Sequence, residues 1–587
     1  MAQRPKPSEA EGRDRVRLVY RSAIDPDAGD IELPLRLLVL AHLGGPRAQA
    51  GDVTGRRAIQ LTRENYDTVL ASAGVRVTLR VADHLRGDPG ETMDIELCFR
   101  ALADFGPDVI VGAVPDLRLM ADLQSVLESA RDGNGTLDGL SPAQHALAAR
   151  MGFDDLKGME PDFLNLAISE IVERLSRQMD AILQDSHYQR LESTWRSLRT
   201  LVERPVRNAS VHVLDIAKTE LADDFDDSPE VAQSFLYQVA YTSEYGQYGG
   251  KPYGAIIGDY RFSADEADLR LLRNIAAVAS MSHTPFLSSV SPVMFGLGDF
   301  GALPGFGGLA DLLDQGVQFA RWRSFRERPD ARYVGLVLPG FRLRAPWDYR
   351  RHGITRFPYR ERVGRDLNRN LWGNPAFAFA GCLLASFERS GWCLDIIGAD
   401  AGRVAVPGLD DDHLPAEILL SERRESELAD AGFIPLTVHK GDRQIAFYSA
   451  NSTYRAPISR NGGSAFREDP NEKIDGRIAA QLPYLFVISR LAHYLKVIQR
   501  DNIGVSKTRA EMESELNGWL VQYVSDMDNP SPPVRARRPL RRASIHIGAS
   551  DGEAGWYRMQ LNLTPHFRYL GAAFQLDLEG RLDPPRP

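Results

Sequence analysis

The chain has 587 residues, 43% hydrophobic and 25% charged, with 70 basic against 79 acidic side chains and a net charge of −9. Such proportions suit a soluble globular protein of about three to five domain-sized units, and the acidic balance argues against a dedicated nucleic-acid binder. Cys98, Cys382 and Cys393 fit no paired framework and no CxxC spacing, so a reducing cytoplasm is the expected setting.

Residues 1–14 read as a disordered leader, polar and lacking the apolar stretch of a signal peptide. Val16, Leu18 and Tyr20 alternate with Arg17 and Val19 as a strand, Asp25-Pro26-Asp27 turns the chain, and Ile31–Gly44 is a buried strand run. A helix is predicted over Arg63–Ala73 with Thr62 as N-cap, then strands Val75–Val81 and Thr92–Phe99, then an amphipathic segment around Leu117–Leu127. These make a compact α+β unit over residues 15–130. Residues 131–160 read as a linker, since Arg131–Gln144 is rich in Gly, Asp, Ser and Pro, with a helical turn or two at His145–Arg150.

From Pro161 the pattern turns helical. Leu164, Ile168, Ile171, Leu175, Met179 and Ile182 step by three and four, Asp185-Ser186 interrupts, and Leu191, Trp195, Leu198 and Val202 continue on a second helix. Strands at Val211–Ala217, Pro252–Tyr260, Pro285–Ser291 and Arg332–Pro339 then alternate with helices at Ala264–Ser280, Asn374–Arg389 and Glu422–Ala431, the last three strands apolar enough for burial on both faces. Residues 348–370 are Arg-rich and read as a loop.

The helix Tyr484–Arg500 organises the rest. Tyr484, Ile488, Leu491, Leu495 and Ile498 share one face; Ser489, His493, Lys496 and Arg500 form a polar stripe on the other. A bilayer span needs ~20 apolar residues, and Arg490 and Lys496 would each cost roughly 3 kcal/mol near its centre. The helix therefore belongs in a soluble core with one edge at a surface or seam. A helix over Ala510–Val524 follows, with Leu516, Trp519, Leu520 and Tyr523 inward, then strands Ala543–Ile547, Tyr557–Thr564 and Ala573–Glu579 and a polar tail at 581–587.

Chemistry-bearing motifs are sparse. Gly296–Gly301 spells GxGxxG, but Pro304 and further glycines follow where a dinucleotide fingerprint needs a helix, so a glycine-rich loop is the expectation. No P-loop, HExxH or GxSxG pattern occurs, His493 and His566 read as structural histidines, and Cys382 lies in an apolar helix where a thiol is inert. Catalytic, cofactor-binding and metal-binding residues are therefore assigned to none. Asp223, Asp224, Asp226, Asp227 and Glu230, like Asp410–Asp412, lie on turn-like segments and read as solvated or as half of an inter-subunit charge contact. Arg535, Arg537, Arg538, Arg541 and Arg542 lack the aromatic interleaving of a nucleic-acid groove and are the candidate basic half.

Eight stretches resemble a known family. RVRLVY, ELPLRLLVLAHLGG, IQLTRENYDTVL and LCFRALADFGPDVI, within residues 15–130, resemble the small subunit of the type VI secretion contractile sheath (TssB/VipA family). EIVERLSRQMDAILQDSHYQRLESTWRSLRTLV, WRSFRERPDARYVGLVLPGFRLR, LWGNPAFAFAGCLLASFERSGWC and LPYLFVISRLAHYLKVIQRDNIG, within residues 161–580, resemble its large subunit (TssC/VipB family). Those subunits are normally separate chains, so this one reads as a fusion: a small α+β unit joined to a larger α/β domain with N-terminal helices and C-terminal strands.

The resemblance implies a helical homopolymer assembled in the cytoplasm around an inner tube of Hcp-like rings, in contact with baseplate components. Its contraction propels the inner tube, with no cofactor and no direct membrane insertion. Terminal strands would complete neighbouring sheets, with Val16, Leu18, Tyr20, Ile545, Ile547, Leu561 and Leu563 as candidates. In the family a ClpV-type AAA+ unfoldase reads the large subunit's N-terminus; here that terminus is joined to the small subunit, so the alternatives are that recognition is lost, that it has moved, or that Ala143–Leu156 carries it. The alternatives are a nucleotide-binding α/β enzyme using Gly296–Gly301 and the sheath of a phage-tail-like injection particle.

Overall fold

The computed structural model describes residues 18–21, 29–45, 53–86, 90–134, 136–153, 161–247, 249–364, 366–406, 413–438, 444–456, 480–502, 508–527, 534, 538–549, 557–565 and 576–581. The expected leader at 1–14, Val16, the acidic Asp410–Asp412, His566 and residues 582–587 of the tail lie outside them.

A hairpin opens the chain, with β1 (Tyr20–Arg21) antiparallel to β2 (Asp30–Ile31). After β3 (Leu35–Ala41) and β4 (Ile59–Leu61) comes α1 (Tyr66–Ser72), shorter at its start than the sequence predicts. Thr62 and Asn65 exchange side-chain to backbone hydrogen bonds at 2.7 and 3.2 Å, so Thr62 closes the turn ahead of the helix. Strands β5 (Arg76–Ala82) and β6 (Thr92–Cys98) form a second hairpin that buries Leu79, Val81, Ile95 and Leu97 and exposes the residues between. Helices α2 (Pro107–Ala113), α3 (Pro115–Arg131), α4 (Pro142–Arg150), α5 (Pro161–Leu183) and α6 (Ser186–Val202) follow. Asp185, the predicted break, is the N-cap of α6, accepting from the backbone of His187 and Tyr188.

The remaining strands are β7 (Ala209–Asp215), β8 (Ala255–Phe262), β9 (Phe286–Val290), β10 (Val334–Leu338), β11 (Phe341–Arg342), β12 (Trp372–Gly373), β13 (Arg403–Val404), β14 (Ile434–Val438) and β15 (Ile445–Phe447). With β3 and β4, seven of these build a nine-stranded sheet ordered β13-β15-β14-β10-β9-β8-β3-β7-β4, whose central members run parallel. The sequence predicts a compact α+β unit over residues 15–130, and the structure adds where its longest apolar strand pairs. Strand β3 lies between β7 and β8, with Leu37 opposite both Val211 and Ala255, so the N-terminal region supplies an interior strand of the sheet that the later region completes. A strand apolar at nearly every position needs cover on both faces and pairing on both edges, and β3 is buried from Leu37 to Ala41.

Helices α7 (Lys218–Asp227), α8 (Glu266–Ser282), α9 (Pro375–Ser390) and α10 (Glu422–Asp430) flank the sheet. Successive side chains of β8 show which helices share a face. Asp259 meets Thr194 of α6 and the α9 N-cap Asn374, whereas Tyr260 bonds to Ile216 O and Phe262 lies under Lys218 of α7. Helices α6 and α9 thus cover one face and α7 the other. The acidic residues at 223–227, predicted as turn-like, lie on α7, which buries Leu221 and Phe225 and exposes Asp223, Asp226 and Asp227.

Helix α11 (Leu482–Asp501) is the predicted organising helix, and it joins two cores. Leu482, Leu485 and Phe486 belong to the main core, where a Cβ on Gly335 of β10 would press within 2.8 Å of Leu482. Leu491, Tyr494, Leu495 and Ile498 belong to a second core, shared with α12 (Arg509–Val521), the N-terminal hairpin and the C-terminal strands. Its polar stripe is a seam, buried at Ser489 and His493 and half-buried at Lys496 and Arg500. His493 meets His283 O at 3.0 Å, Lys496 donates to Met281 O, and Arg500 donates to three carbonyls, Glu244, Gln247 and Gly250.

Candidate assembly interface

Both ends of the chain converge on α11. The Tyr494 hydroxyl accepts from Leu33 N at 2.8 Å and donates to Leu18 O at 2.6 Å, while Tyr523 and Trp519 reach the Val19 backbone. Burial raises the Tyr494 pKa to about 12, so the hydroxyl stays a donor. These bonds fix the first hairpin against the last two helices, with Leu18 fully buried and Tyr20 edge-on to Tyr494.

Strands β16 (Leu540–Ala549), β17 (Tyr557–Pro565) and β18 (Leu576–Arg581) form an antiparallel sheet in that order. Ile545, Ile547, Met559, Leu561 and Leu563 make its buried side. The outer edge of β16 is closed by the chain itself. Asn517 of α12 accepts from Ile545 N at 2.9 Å and donates to Ile545 O at 2.8 Å, in the manner of a neighbouring strand. Glu513 accepts from Ile547 N at 2.9 Å, and Leu540 exchanges backbone bonds with Tyr523 and Ser525. Strand β17 is paired on both sides, Leu561 facing Ile545 and Leu578, and Leu563 facing Ala543 and Leu576. Among the described residues β18 has a partner on one side only.

The charged candidates separate. Asp223, Asp226 and Asp227 are exposed on α7, where Asp226 pairs with Arg270 at 3.0 Å. Asp224 is half-buried and accepts from Phe235 N at 2.9 Å, so it holds its own chain's backbone. Arg538 and Arg542 are exposed and Arg541 half-buried, while Arg535 and Arg537 lie outside the described residues. The sequence carries no sign of Asn517 or Glu513 as edge caps, because an Asn and a Glu on an amphipathic helix are unremarkable until β16 lies beside them.

The nucleotide alternative fails on geometry. The parallel strands follow the order of a doubly wound sheet, whose ligand crevice lies at the carboxyl ends where the strand order reverses, here β3 and β8. Helix α6 fills that crevice. Trp195 donates to Leu43 O at 3.1 Å, Thr194 donates to Asp259 at 2.6 Å, and a Cβ on Gly44 would meet Leu191. At Gly296–Gly301, Gly296 ends a 3₁₀ turn and Asp299 caps another, so no α-helix opens there. Among the described residues no group of three His, Cys, Asp or Glu side chains could hold a metal ion, and no helix is long and apolar enough to cross a membrane. Burial lifts the Cys382 and Cys393 thiols to about 12, as for inert structural cysteines.

Comparison with known proteins identifies what this architecture serves. Residues 165–454 match the family described as EvpB/VC_A0108, tail sheath N-terminal domain, and residues 471–582 match its tail sheath gpW/gp25-like domain. Residues 9–148 match the family described as Type VI secretion system, VipA, VC_A0107 or Hcp2. The chain is 33% identical over 459 residues to the type VI secretion system sheath protein TssC1 of Pseudomonas aeruginosa, across 75% of this chain and 89% of that one. A chain of the anti-feeding prophage baseplate superposes with a TM-score of 0.35 at 10% identity, over 65% of this chain and 80% of that one. The chain belongs to the type VI secretion sheath family, a structural subunit of the contractile sheath and not an enzyme, with small-subunit and large-subunit regions in one polypeptide.

Proposed function

We propose that copies of this chain polymerise in the cytoplasm into a helical tube around an inner Hcp-like tube, seated on baseplate components, and that contraction of the tube propels its contents. The work resides in the lattice: an extended arrangement relaxes to one with more contact between copies. Strand addition links the copies, since main-chain hydrogen bonds hold under load without a particular side chain. The observation that supports this reading is the asymmetry of the terminal sheet. One edge is locked by Asn517 and Glu513 while β18 carries no second partner among the described residues. An uncovered edge is a liability that proteins cover or use, and in a family of polymers it is used.

In this reading β18 is the exchangeable element, Leu18 and Tyr20 on Tyr494 together with Ile545 and Ile547 are the fixed wall, and Leu561 and Leu563 are the central strand. Negative-stain microscopy of the purified chain tests it. Rods or rings are expected without any cofactor, and removal of residues 576–587 is expected to abolish them while leaving thermal unfolding of the body in place. A wild-type chain that stays solitary, or a truncated one that still forms rods, overturns the reading.

Unfoldase recognition is assigned to the segment around α4. Ser141 caps that helix through a reciprocal bond pair with Gln144, and Ala148 is buried, so α4 is docked and must be released before it is read. Deleting residues 143–156 is expected to abolish pulldown of contracted sheath by a ClpV-type unfoldase; unchanged capture excludes the segment, and no capture of the intact chain means that recognition is lost.

A further inference from the structure

The Arg-rich loop at 348–370, unexplained by any role above, is tied to the body at several of its described residues and carries exposed cations. Asp108 of α2 accepts from Thr355 N, Thr355 Oγ1 and Arg356 N, all at 3.0 to 3.2 Å. Tyr359 donates to Asp180 of α5 at 2.7 Å, Gln184 donates to Arg362 O, Gln189 of α6 donates to Asn368 O, and Trp372 donates to Leu367 O. Asp348 bridges antiparallel to Arg360. Pinned at so many points, the loop exposes Arg350, Arg356, Arg360 and Arg369. Arg360 and Arg369 have local carboxylates, Asp348 at 3.2 Å and Asp366 at 3.3 Å, and Arg350 reaches the Tyr349 hydroxyl. The surplus is positive on a chain whose net charge is −9.

The matching surplus of negative charge is on α7, where Asp223 and Asp227 are exposed and followed by the exposed Glu230. The loop packs with α5 and α6, on the sheet face that Asp259 addresses; α7 covers the opposite face. The sheet separates the two patches, so one copy does not bring its own together. A contact between different surfaces of identical chains is heterologous, the kind that builds an open helix when the rotation between copies does not close a ring.

We infer that the arginine ridge at 350–369 docks on the acidic face of α7 of the next copy, making the loop, in place of the basic run at 535–542, the cationic half of the inter-subunit charge contact. This rests on the polymer proposed above. A preorganised ridge loses little order on docking, and a charge contact of exposed groups is steered and salt-sensitive, with a screening length of about 10 Å at 0.1 M and about 3 Å at 1 M salt.

The test is a charge swap in the full chain, read by sedimentation and negative stain at low salt. R350E/R356E and D223R/D227R are each expected to raise the protein concentration at which rods appear by roughly tenfold, with thermal unfolding unchanged. The fourfold variant is expected to recover rods, since it restores opposite charges in reversed places. If the wild type forms rods and R350E/R356E does so equally, the ridge is not an interface. If both doubles fail and the fourfold variant also fails, the ridge and α7 do not face each other. If the wild type itself forms none, the polymer reading falls first.

Discussion

The main core and the terminal core share helix α11 but treat their sheets in opposite ways. In the main core the nine-stranded sheet ends in short strands, β4 of three residues and β13 of two, and its interior strand β3 is paired on both sides. The terminal core is smaller and assembled from the two ends of the chain; its sheet has one edge sealed by α12, and among the described residues β18 has no partner at the other. Among the described residues the first sheet tapers to short strands at both edges, while the second ends on the six-residue β18. Rigid body and unfinished rim are what a subunit needs if load is to pass between copies without unfolding either.

The largest expected effect lies in the main body. Glu192 of α6 is fully buried between Arg344 and Arg196, at 2.9 and 2.7 Å, and Arg344 also reaches Glu361 at 2.6 Å. Burial works to raise the Glu192 pKa, but the two guanidiniums outweigh it and hold it below the ordinary carboxylate range. Arg344→Met would leave Glu361 buried without that cation and is expected to cost about 3–5 kcal/mol. Urea unfolding measures this, and a loss under about 1 kcal/mol would mean that the network is not what ties α6 to the loop at 344–361.

A smaller and local effect is expected from Asn517→Ala. The Ile545 N–H and C=O would lose their lateral partner, at about 1–3 kcal/mol for groups left unsatisfied. Hydrogen exchange should rise at Ile545 and Ile547 and stay unchanged in β3. Equal loosening of both sheets would show that the two cores unfold as one, and the contrast drawn above would not hold.

Element types along most of the chain were legible from periodicity, because core helices and strands must bury one face or two. The α6 start at Asp185 and the strand pair β5 and β6 are of this kind. Pairing was not legible. Nothing local in Leu35–Ala41 distinguishes a strand for its own unit from one that enters between β7 and β8, since its partners lie more than 150 residues away in sequence. Helix α7 was missed because Asp223, Asp224, Asp226 and Asp227 swamp its two buried anchors, Leu221 and Phe225. The polar stripe of α11 was visible, but its burial depends on carbonyls at Met281, His283 and Glu244 that only the fold delivers. Of the candidate interface, the strands were readable; their caps and the ridge at 350–369 needed geometry.

The seam along α11 also sets a pH dependence. His493 is buried against His283, and burial, reinforced by Lys496 and Arg490, lowers its pKa to about 3; His283 is lowered in the same direction by the same leading cause. Unfolded imidazoles titrate near ~6.5. The stability these neutral rings contribute is therefore complete above that value and is lost as pH falls toward their folded pKa, at up to about 1.4 kcal/mol per pH unit for each proton taken up. Unfolding midpoints between about pH 6.5 and 4 should decline, and His493→Gln, which can still donate to His283 O, should flatten the decline. An unchanged slope would place the titrating groups elsewhere.

The smallest expected effect sharpens the comparison most. A protease site engineered within residues 154–160 would cut the chain between its two family regions. If β3 is held by its pairing with β7 and β8 and by the burial of Leu37 to Ala41, the cut chain should sediment as one particle with nearly unchanged thermal unfolding. Packing of α3 on α5 and the Tyr494 link to Leu18 and Leu33 join the same halves elsewhere, so separation would require breaking interior sheet pairing and both cores together. Rods should form from the cut chain as readily as from the intact one, because every surface proposed to touch a neighbour is still in place. If the fragments drift apart, the covalent joint is holding the subunit together, and β3 is a tethered guest in the sheet instead of a structural member of it.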